Sequence, residues 1–410
     1  MKLVNIWKRV NAKFDFLSGF VFLYTCIFYP STIFLAIFSN LIPTRMFSIP
    51  LLILVLVSLI FALPTILKRI NFRDLIFAGF FLIAILMVFV RQNITTAFLS
   101  GIKTIFSSCL LFFVAFRFSD YKNNYRYIVI GSYILSVALF TYSLIFKKNA
   151  HAEDMTNSYL SSVISAIIIS YSILICKNKL YAFVGLCFGA LAITAAVFFG
   201  SRGPIIFFCI FAIGLLYYKL FWKSKDRLTI ALIIIIILCF IFIFYFFLVK
   251  ILYKNGVIDF SNPLYQLYYN LSYTSGRSSL FKLVMKGTLY SFSYGNGLFG
   301  DRNLTTVFYF TDRFTYSHNI VIELIASFGW LGSIVLISFL VTYFLNCSFV
   351  VRLDVRKASL ALPLLLVGVL SLLVSGSFVT SIYFWGFCGI CLSILADKKV
   401  DSPLNKQCSK

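Results

Sequence analysis

Acid is what this chain has least of. Its 410 residues include 13 aspartates and glutamates, only two of them glutamate, and only two histidines. No Asp-x-Asp and no His-x-x-x-His occurs, and no pair of carboxylates stands at catalytic spacing. The usual ligand sets for a divalent cation are missing, so no metal and no cofactor is expected. None of the ten cysteines falls in the one long polar segment, so no disulfide framework follows from their pattern. Cys388-Gly-Ile-Cys391 matches C-x-x-C but sits in an apolar run, where packing is the expected role. Charged residues of both signs make up 12% of the chain, too few for a soluble surface.

What fills the chain is apolar. Hydrophobic residues reach 61%, against about 45–50% in soluble domains. Runs of about 20 residues, each able to cross roughly 30 Å of hydrocarbon, follow one another almost without pause. Twelve spans are expected, at about 16–39, 47–67, 74–90, 97–116, 127–146, 158–176, 180–199, 204–221, 228–252, 318–346, 358–375 and 379–396. The expected fold is an all-α polytopic membrane protein. It has spans one to nine in 1–252, a long external loop at 253–317, and spans ten to twelve with a cytoplasmic tail in 318–410. Met1–Lys13 is charged and no small-residue cleavage site follows the first apolar run, so no cleaved leader is expected. No half-to-half repeat aligns the first six spans with the last six.

The net charge of +23 suggests nucleic acid, and its distribution rejects that partner. With both termini inside, 23 of the 36 basic residues fall in inner segments and six in the short outer ones. That asymmetry is the positive-inside signature. It places the 253–317 loop outside. Within the loop, Thr274-Ser275-Gly276 marks a helix start, and Leu280, Phe281, Val284 and Met285 against Lys282 and Lys286 predict an amphipathic helix on the membrane surface. A Gly-rich turn, Tyr294 to Gly300, leads to Asp301 and Arg302. The loop also holds nine of the 24 tyrosines, Tyr273 and Tyr316 among them. Two readings stand: an aromatic belt at the interface, or flat faces on which sugar rings stack.

Three outward-facing helix mouths carry ionisable groups. Gly200-Ser201-Arg202-Gly203-Pro204 opens span eight with Pro204 at the first helical position. Its free amides and the Arg202 guanidinium form an anion site or, alternatively, an anchor at the headgroups. Ser275-Gly276-Arg277 repeats that chemistry. The third is Ser317-His318-Asn319 with Glu323, where Ser317 is the expected N-cap. In a first turn the helix dipole favours a neutral imidazole, which can accept a proton from a hydroxyl near neutral pH. Asn319 and Glu323, four residues apart, share a face and can orient a substrate or each other. Ionisable groups at such depth are usually kept for function. Glu153, Asp154 and Asn157 lie in or beside an outer loop, Lys147–Thr156, as solvated residues or as substrate contacts.

In order, Ser-Arg-Gly opens one span, Gly-Arg lies in a long external loop, Gly-x-Gly-x-x-Gly stands near its end, and His-Asn opens the next span. This order resembles the O-antigen polymerase and O-antigen ligase superfamily of bacterial membranes. The resemblance covers about 200–335, and the rest by span number and loop placement. It departs where family members often carry Asn/Asp-Pro before the Gly-rich turn; here the residues are Ser293-Tyr294-Gly295-Asn296-Gly297.

The resemblance implies a GT-C-like glycosyltransferase of the bacterial inner membrane, working without metal on its periplasmic side. Undecaprenyl-diphosphate-linked oligosaccharides would be donor and acceptor. Arg202 and Arg277 would stabilise the departing diphosphate, and His318 would deprotonate or orient the acceptor hydroxyl. Asn319, Glu323, Asn157, Arg302, Tyr273 and Tyr316 would contact substrate. Membrane lipids and a chain-length regulator protein are the other implied partners. The polymerase, with a second lipid-linked glycan as acceptor, is preferred over the ligase, whose acceptor is lipid A-core. From another class, a flippase or exporter of lipid-linked sugars is disfavoured by the missing repeat, the long loop and the scarcity of charge within spans.

Overall fold

A computed structural model describes residues 63, 66–91, 102, 105, 109–118, 121–145, 152–199, 202–221, 247–256, 277–289, 293, 295–309, 317, 319–351, 355–373 and 376–400. Among these there is no strand. The helices are α1 (Phe72–Arg91), α2 (Leu110–Phe118), α3 (Tyr121–Ile145), α4 (Ala152–Leu174), α5 (Lys179–Phe198) and α6 (Arg202–Phe221). They continue as α7 (Arg277–Thr288), α8 (Gly300–Tyr309), α9 (Ile320–Val351), α10 (Val355–Pro363) and α11 (Ile382–Val400). Six segments are long and apolar enough to cross a membrane, and Gly203–Leu216 and Ile382–Ala396 are shorter apolar helices. Eight of the twelve expected spans therefore coincide with apolar helices. The expected span at 16–39, most of those at 47–67 and 228–252, and half of that at 97–116 lie outside the described residues.

α4 is the axis of the bundle, enclosed on most of its length, whereas α1 and α5 show much of their apolar surface outward. Phe72, Ile83 and Val90 on α1 are more than half exposed, as lipid-facing side chains should be. α4 and α5 pack closely because their seam is built from small residues. Gly185, Gly189, Ala192, Ala195 and Ala196 line α5. The facing hydroxyls of Ser165 and Ser158 on α4 donate to the carbonyls of Gly189 (2.7 Å) and Ala196 (3.1 Å). Hydrocarbon offers helices no hydrophobic gain on meeting, so backbone approach and such hydrogen bonds must hold them.

One end of the bundle is tied by ions. Asn71 caps α1: its Oδ1 accepts from the N–H groups of Arg73 and Asp74, while Asp74 Oδ2 accepts from Asn71 N–H (2.9 Å). That is a capping box. The same carboxylate takes the Arg117 guanidinium of α2 in a forked pair, Nε–Oδ1 at 2.7 Å and Nη2–Oδ2 at 2.8 Å, both side chains buried. α2 packs in turn on α11. There Phe77, Phe81 and Phe113 surround Trp385, with Phe81 4.3 Å from the indole. Cys388 and Cys391 are buried in this interface with no disulfide between them, as packing residues.

Two segments depart from the simple helices the sequence predicts. Past α10, the span continues as a widened π-type turn, Leu364–Val369, and a tight 3-10 turn, Leu370–Leu373. Pro363 has no N–H to give the preceding turn, so the regular ladder is interrupted there. The other departure is in α9, where Gly329 adopts φ 70°, ψ 177° and splits the apolar run into two helices. A third difference is a boundary. Glu153 and Asp154, expected in a loop, belong by their backbone to the first turn of α4.

A Cβ at Gly389 would stand 2.6 Å from the Phe113 carbonyl oxygen, backbone against backbone. Gly389→Ala is expected to cost about 1–3 kcal/mol by overpacking the α2–α11 contact. Asp74→Ala should cost about 3–5 kcal/mol, because Arg117 keeps its buried charge without a partner. Thermal unfolding of detergent-purified protein measures both.

Candidate functional site

The site is assembled at the opposite end, around the break in α9. In a continuous helix the carbonyls of Ala326 and Ser327 would accept from the residues four places on. The positive φ at Gly329 interrupts that ladder. The Gly-rich turn supplies donors instead: Asn296 N–H reaches Ala326 O and Gly297 N–H reaches Ser327 O, both at 2.9 Å. The next amide, Leu298 N–H, reaches Ala84 O on α1 at 3.1 Å. Such contact requires glycine. Gly295 (φ 68°) and Gly297 (φ 83°) hold conformations that L side chains rarely adopt. A Cβ at Gly295 would lie 2.5 Å from Ser327 O, one at Gly297 2.7 Å from Val88 N, and one at Gly300 2.6 Å from Ala326 O.

Gly329 is nine residues into α9, and Ala84 is seven residues from the end of α1. At 1.5 Å per residue the turn therefore reaches roughly 10–14 Å below the helix ends. Irregular backbone inside a helical bundle needs partners for its polar groups, and here the amides of the turn are matched to the carbonyls the break releases.

The turn delivers Asp301 and Arg302 to the start of α8, both buried. The Arg302 guanidinium lies over the Phe299 ring at 4.6 Å. Phe299 itself is buried and holds φ 63°. Asp301 Oδ2 accepts from Ser317 N–H at 2.7 Å, a bond between two fully buried groups 16 residues apart. Glu323 in the first turn of α9 is 1% exposed and feels the charges of both Asp301 and Arg302. Its carboxylate accepts from the Ser377 hydroxyl and from Phe378 N–H (2.9 Å), holding the turn between α10 and α11. Asn319 holds the same connection, donating from Nδ2 to Leu373 O at 2.8 Å.

The expectations for this region fare differently. Ser317 is not the N-cap of α9. Asn319 is, with Oδ1 accepting from Val321 N–H (2.9 Å) and Ile322 N–H (3.3 Å). The Ser317 N–H is engaged by Asp301, and its hydroxyl lies 3.4 Å from the Asn319 carbonyl oxygen. Asn319 and Glu323 are brought to one place, but they grip the α10–α11 turn and not each other. Arg302 joins them.

Arg277 is the first residue of α7, where a helix start is expected. The apolar face of α7, Leu280 and Val284, is buried against α8 and α9 rather than spread on a lipid surface. Arg202 is the first residue of α6, two places before Pro204, so Pro204 falls inside the first turn, where its missing N–H is tolerated. The side chains of Arg202 and Arg277, and all of His318, Tyr273 and Tyr316, lie outside the described residues. Asn157 is half-buried near the start of α4, at the end of the bundle where Tyr159 reaches Ser371 O (3.4 Å). Asp301 is the residue the sequence reading passed over. Its signal was present: one acidic residue directly after a glycine turn in a chain nearly devoid of acid.

Gly295→Ala should collapse this end, since its Cβ meets backbone from α9 on a glycine-only φ. The expected result is loss of folded protein on size-exclusion after detergent extraction. Glu323→Ala, which orphans the buried Phe378 N–H, should cost about 1–3 kcal/mol and speed proteolysis between α10 and α11. Among the described residues no three His, Cys, Asp or Glu side chains come together as a metal-binding group. No protein-family model matches the chain, and no curated protein matches it.

Proposed function

We propose that the chain is a membrane glycosyltransferase of twelve spans and GT-C-like build. It polymerises undecaprenyl-diphosphate-linked oligosaccharide repeat units at the periplasmic face of a bacterial inner membrane. The observation that carries this reading is the buried Asp301–Arg302–Glu323 group beneath Ser317 and Asn319, at the end of the bundle where α6 begins with Arg202. Charged groups at such depth are costly, and a chain with two glutamates retains one of them there. The motif order quoted above supplies the reaction class.

In this reading the acceptor sugar hydroxyl attacks the anomeric carbon of the donor. His318 takes the hydroxyl proton as the new C–O bond forms. The bond to the carrier diphosphate breaks with inversion, and undecaprenyl diphosphate leaves. Arg202 and Arg277 neutralise the charge that develops on it, each contributing about 3 kcal/mol. Their planar forks grip two oxygens at once, which a lysine ammonium cannot do.

A deletion strain tests the assignment. If the chain polymerises, the lipopolysaccharide carries core plus a single repeat and no ladder. Bare core with polymer left on the carrier would identify a ligase instead, and single units trapped on the inner leaflet a flippase. Arg202→Lys and Arg277→Lys, at matched protein level, should each lower the polymerisation rate about a hundredfold. His318→Ala should lower it by roughly 10²–10⁴. Wild-type ladders from all three variants would remove these residues from the reaction.

A further inference from the structure

The carbonyls of Ala326 and Ser327 have two sets of donors within this chain, and the backbone at Gly329 decides which set serves. In the structure they receive Asn296 N–H and Gly297 N–H, both at 2.9 Å. In a continuous α9 they would receive Trp330 N–H and Leu331 N–H, each four places on. Gly329 at φ 70°, ψ 177° occupies a region open essentially to glycine alone, and glycine enters the helical region as well. Helical dihedrals at this one residue would close the ladder of α9 and leave the Gly-rich turn without two of its receptors.

The docked turn is held under strain. Phe299, in the same turn, takes φ 63° although its side chain is bulky and buried. Gly295 lies so close to Gly329 that a Cβ on it would run into Gly329 N. Strain of this kind persists only where the surroundings impose it, and it is one basis of bistability. The charged side chains that follow the turn are covered while it is docked: Asp301 is 0% exposed, Glu323 1% and Arg302 9%. Asp301 is one residue beyond Gly300, so its bond from Ser317 N–H depends on where the turn sits.

We infer that Gly329 is a two-state hinge. In one state α9 is broken, the Gly-rich turn is docked, and the Asp301–Arg302–Glu323 group is covered. In the other α9 is continuous, the turn is released, and Asp301 leaves Ser317 N–H. Ala326 O and Ser327 O are satisfied in both states, so neither leaves a buried carbonyl unpaired. Switches are commonly built from such discrete arrangements of packed elements. The inference concerns the backbone of the chain and does not depend on the reaction proposed above.

The test is amide hydrogen exchange, read residue by residue, on the full-length protein in lipid nanodiscs. Two substitutions push the hinge in opposite directions. Gly329→Ala puts a side chain on a conformation reserved for glycine and so favours the continuous helix. Protection should move from Asn296 and Gly297 to Trp330 and Leu331, with the turn amides exchanging about tenfold faster or more. Leu331→Pro does the reverse. Position 331 lies in the first turn after the break, where a missing N–H is tolerated, whereas in a continuous α9 the ring would run into Ser327 O. The Leu331 side chain is 57% exposed, so little packing is lost. Asn296 and Gly297 should then exchange severalfold more slowly than in the wild type.

Opposite signs from the two variants are the signature of a hinge, because simple damage to the fold would speed exchange in both. Turn exchange in Leu331→Pro equal to or faster than the wild type would overturn the inference, as would failure of that variant to fold. So would Gly329→Ala with the turn still protected, or with protection lost there and not gained at Trp330 and Leu331. If Gly329→Ala gives no folded protein, Leu331→Pro decides alone, slower turn exchange supporting the hinge.

Discussion

Everything at the Gly329 end of the bundle depends on the cost of leaving a buried peptide group unpaired. Gly329 breaks α9 inside the bundle, where the interrupted ladder needs other donors. Two amides of the Gly-rich turn take the carbonyls of Ala326 and Ser327, and a third takes Ala84 on α1. From that backbone docking the positions of Asp301 and Arg302 follow, because they are the residues that come next. Ser317 is placed by Asp301, and the α10–α11 turn by Glu323 and Asn319. Side chains throughout this region are arranged by a backbone contact that only glycine permits.

The two ends of the bundle handle their polar groups in opposite ways. At the Asp74 end both carboxylate oxygens are engaged: Asp74 completes a capping box and holds Arg117 in a forked ion pair. At the Gly329 end the ionisable groups are equally buried, but Asp301 keeps an oxygen without a hydrogen bond, and Glu323 feels the charge of Asp301. The ion pair at Asp74 is closed by hydrogen bonds, whereas one oxygen of Asp301 is left without one.

Much of this was legible in the sequence, for physical reasons that also explain what was not. Eight spans were visible because crossing hydrocarbon demands length and apolarity, which a sequence displays directly. The start of α7 at Arg277 followed from Thr274-Ser275-Gly276 and the apolar spacing behind it. The break at Gly329 was hidden, since Phe328-Gly329-Trp330 reads as uninterrupted apolar helix. Only the distant turn at 295–297 makes a positive φ affordable there. The cap on α9 was assigned to Ser317 rather than Asn319 for a similar reason: both residue types cap, and what removes Ser317 is a bond from Asp301 sixteen residues earlier. Asp301 itself carries no motif, and its importance arises from what it touches.

The docking of the Gly-rich turn also sets an order of events during biosynthesis. A membrane chain is delivered from its N-terminus, so α1 is in place before the turn is made, and the turn is made before α9. Ala84 can receive Leu298 as soon as both exist, but the carbonyls of Ala326 and Ser327 do not appear until α9 has entered the bilayer and bent at Gly329. Until α9 is bent at Gly329, the turn lacks two of the carbonyls that receive it. The face of α2 that packs on α11 is covered later still, when the last described helix is in place. A chain stopped short of α9 would therefore carry the Gly-rich turn without the backbone cleft that holds it.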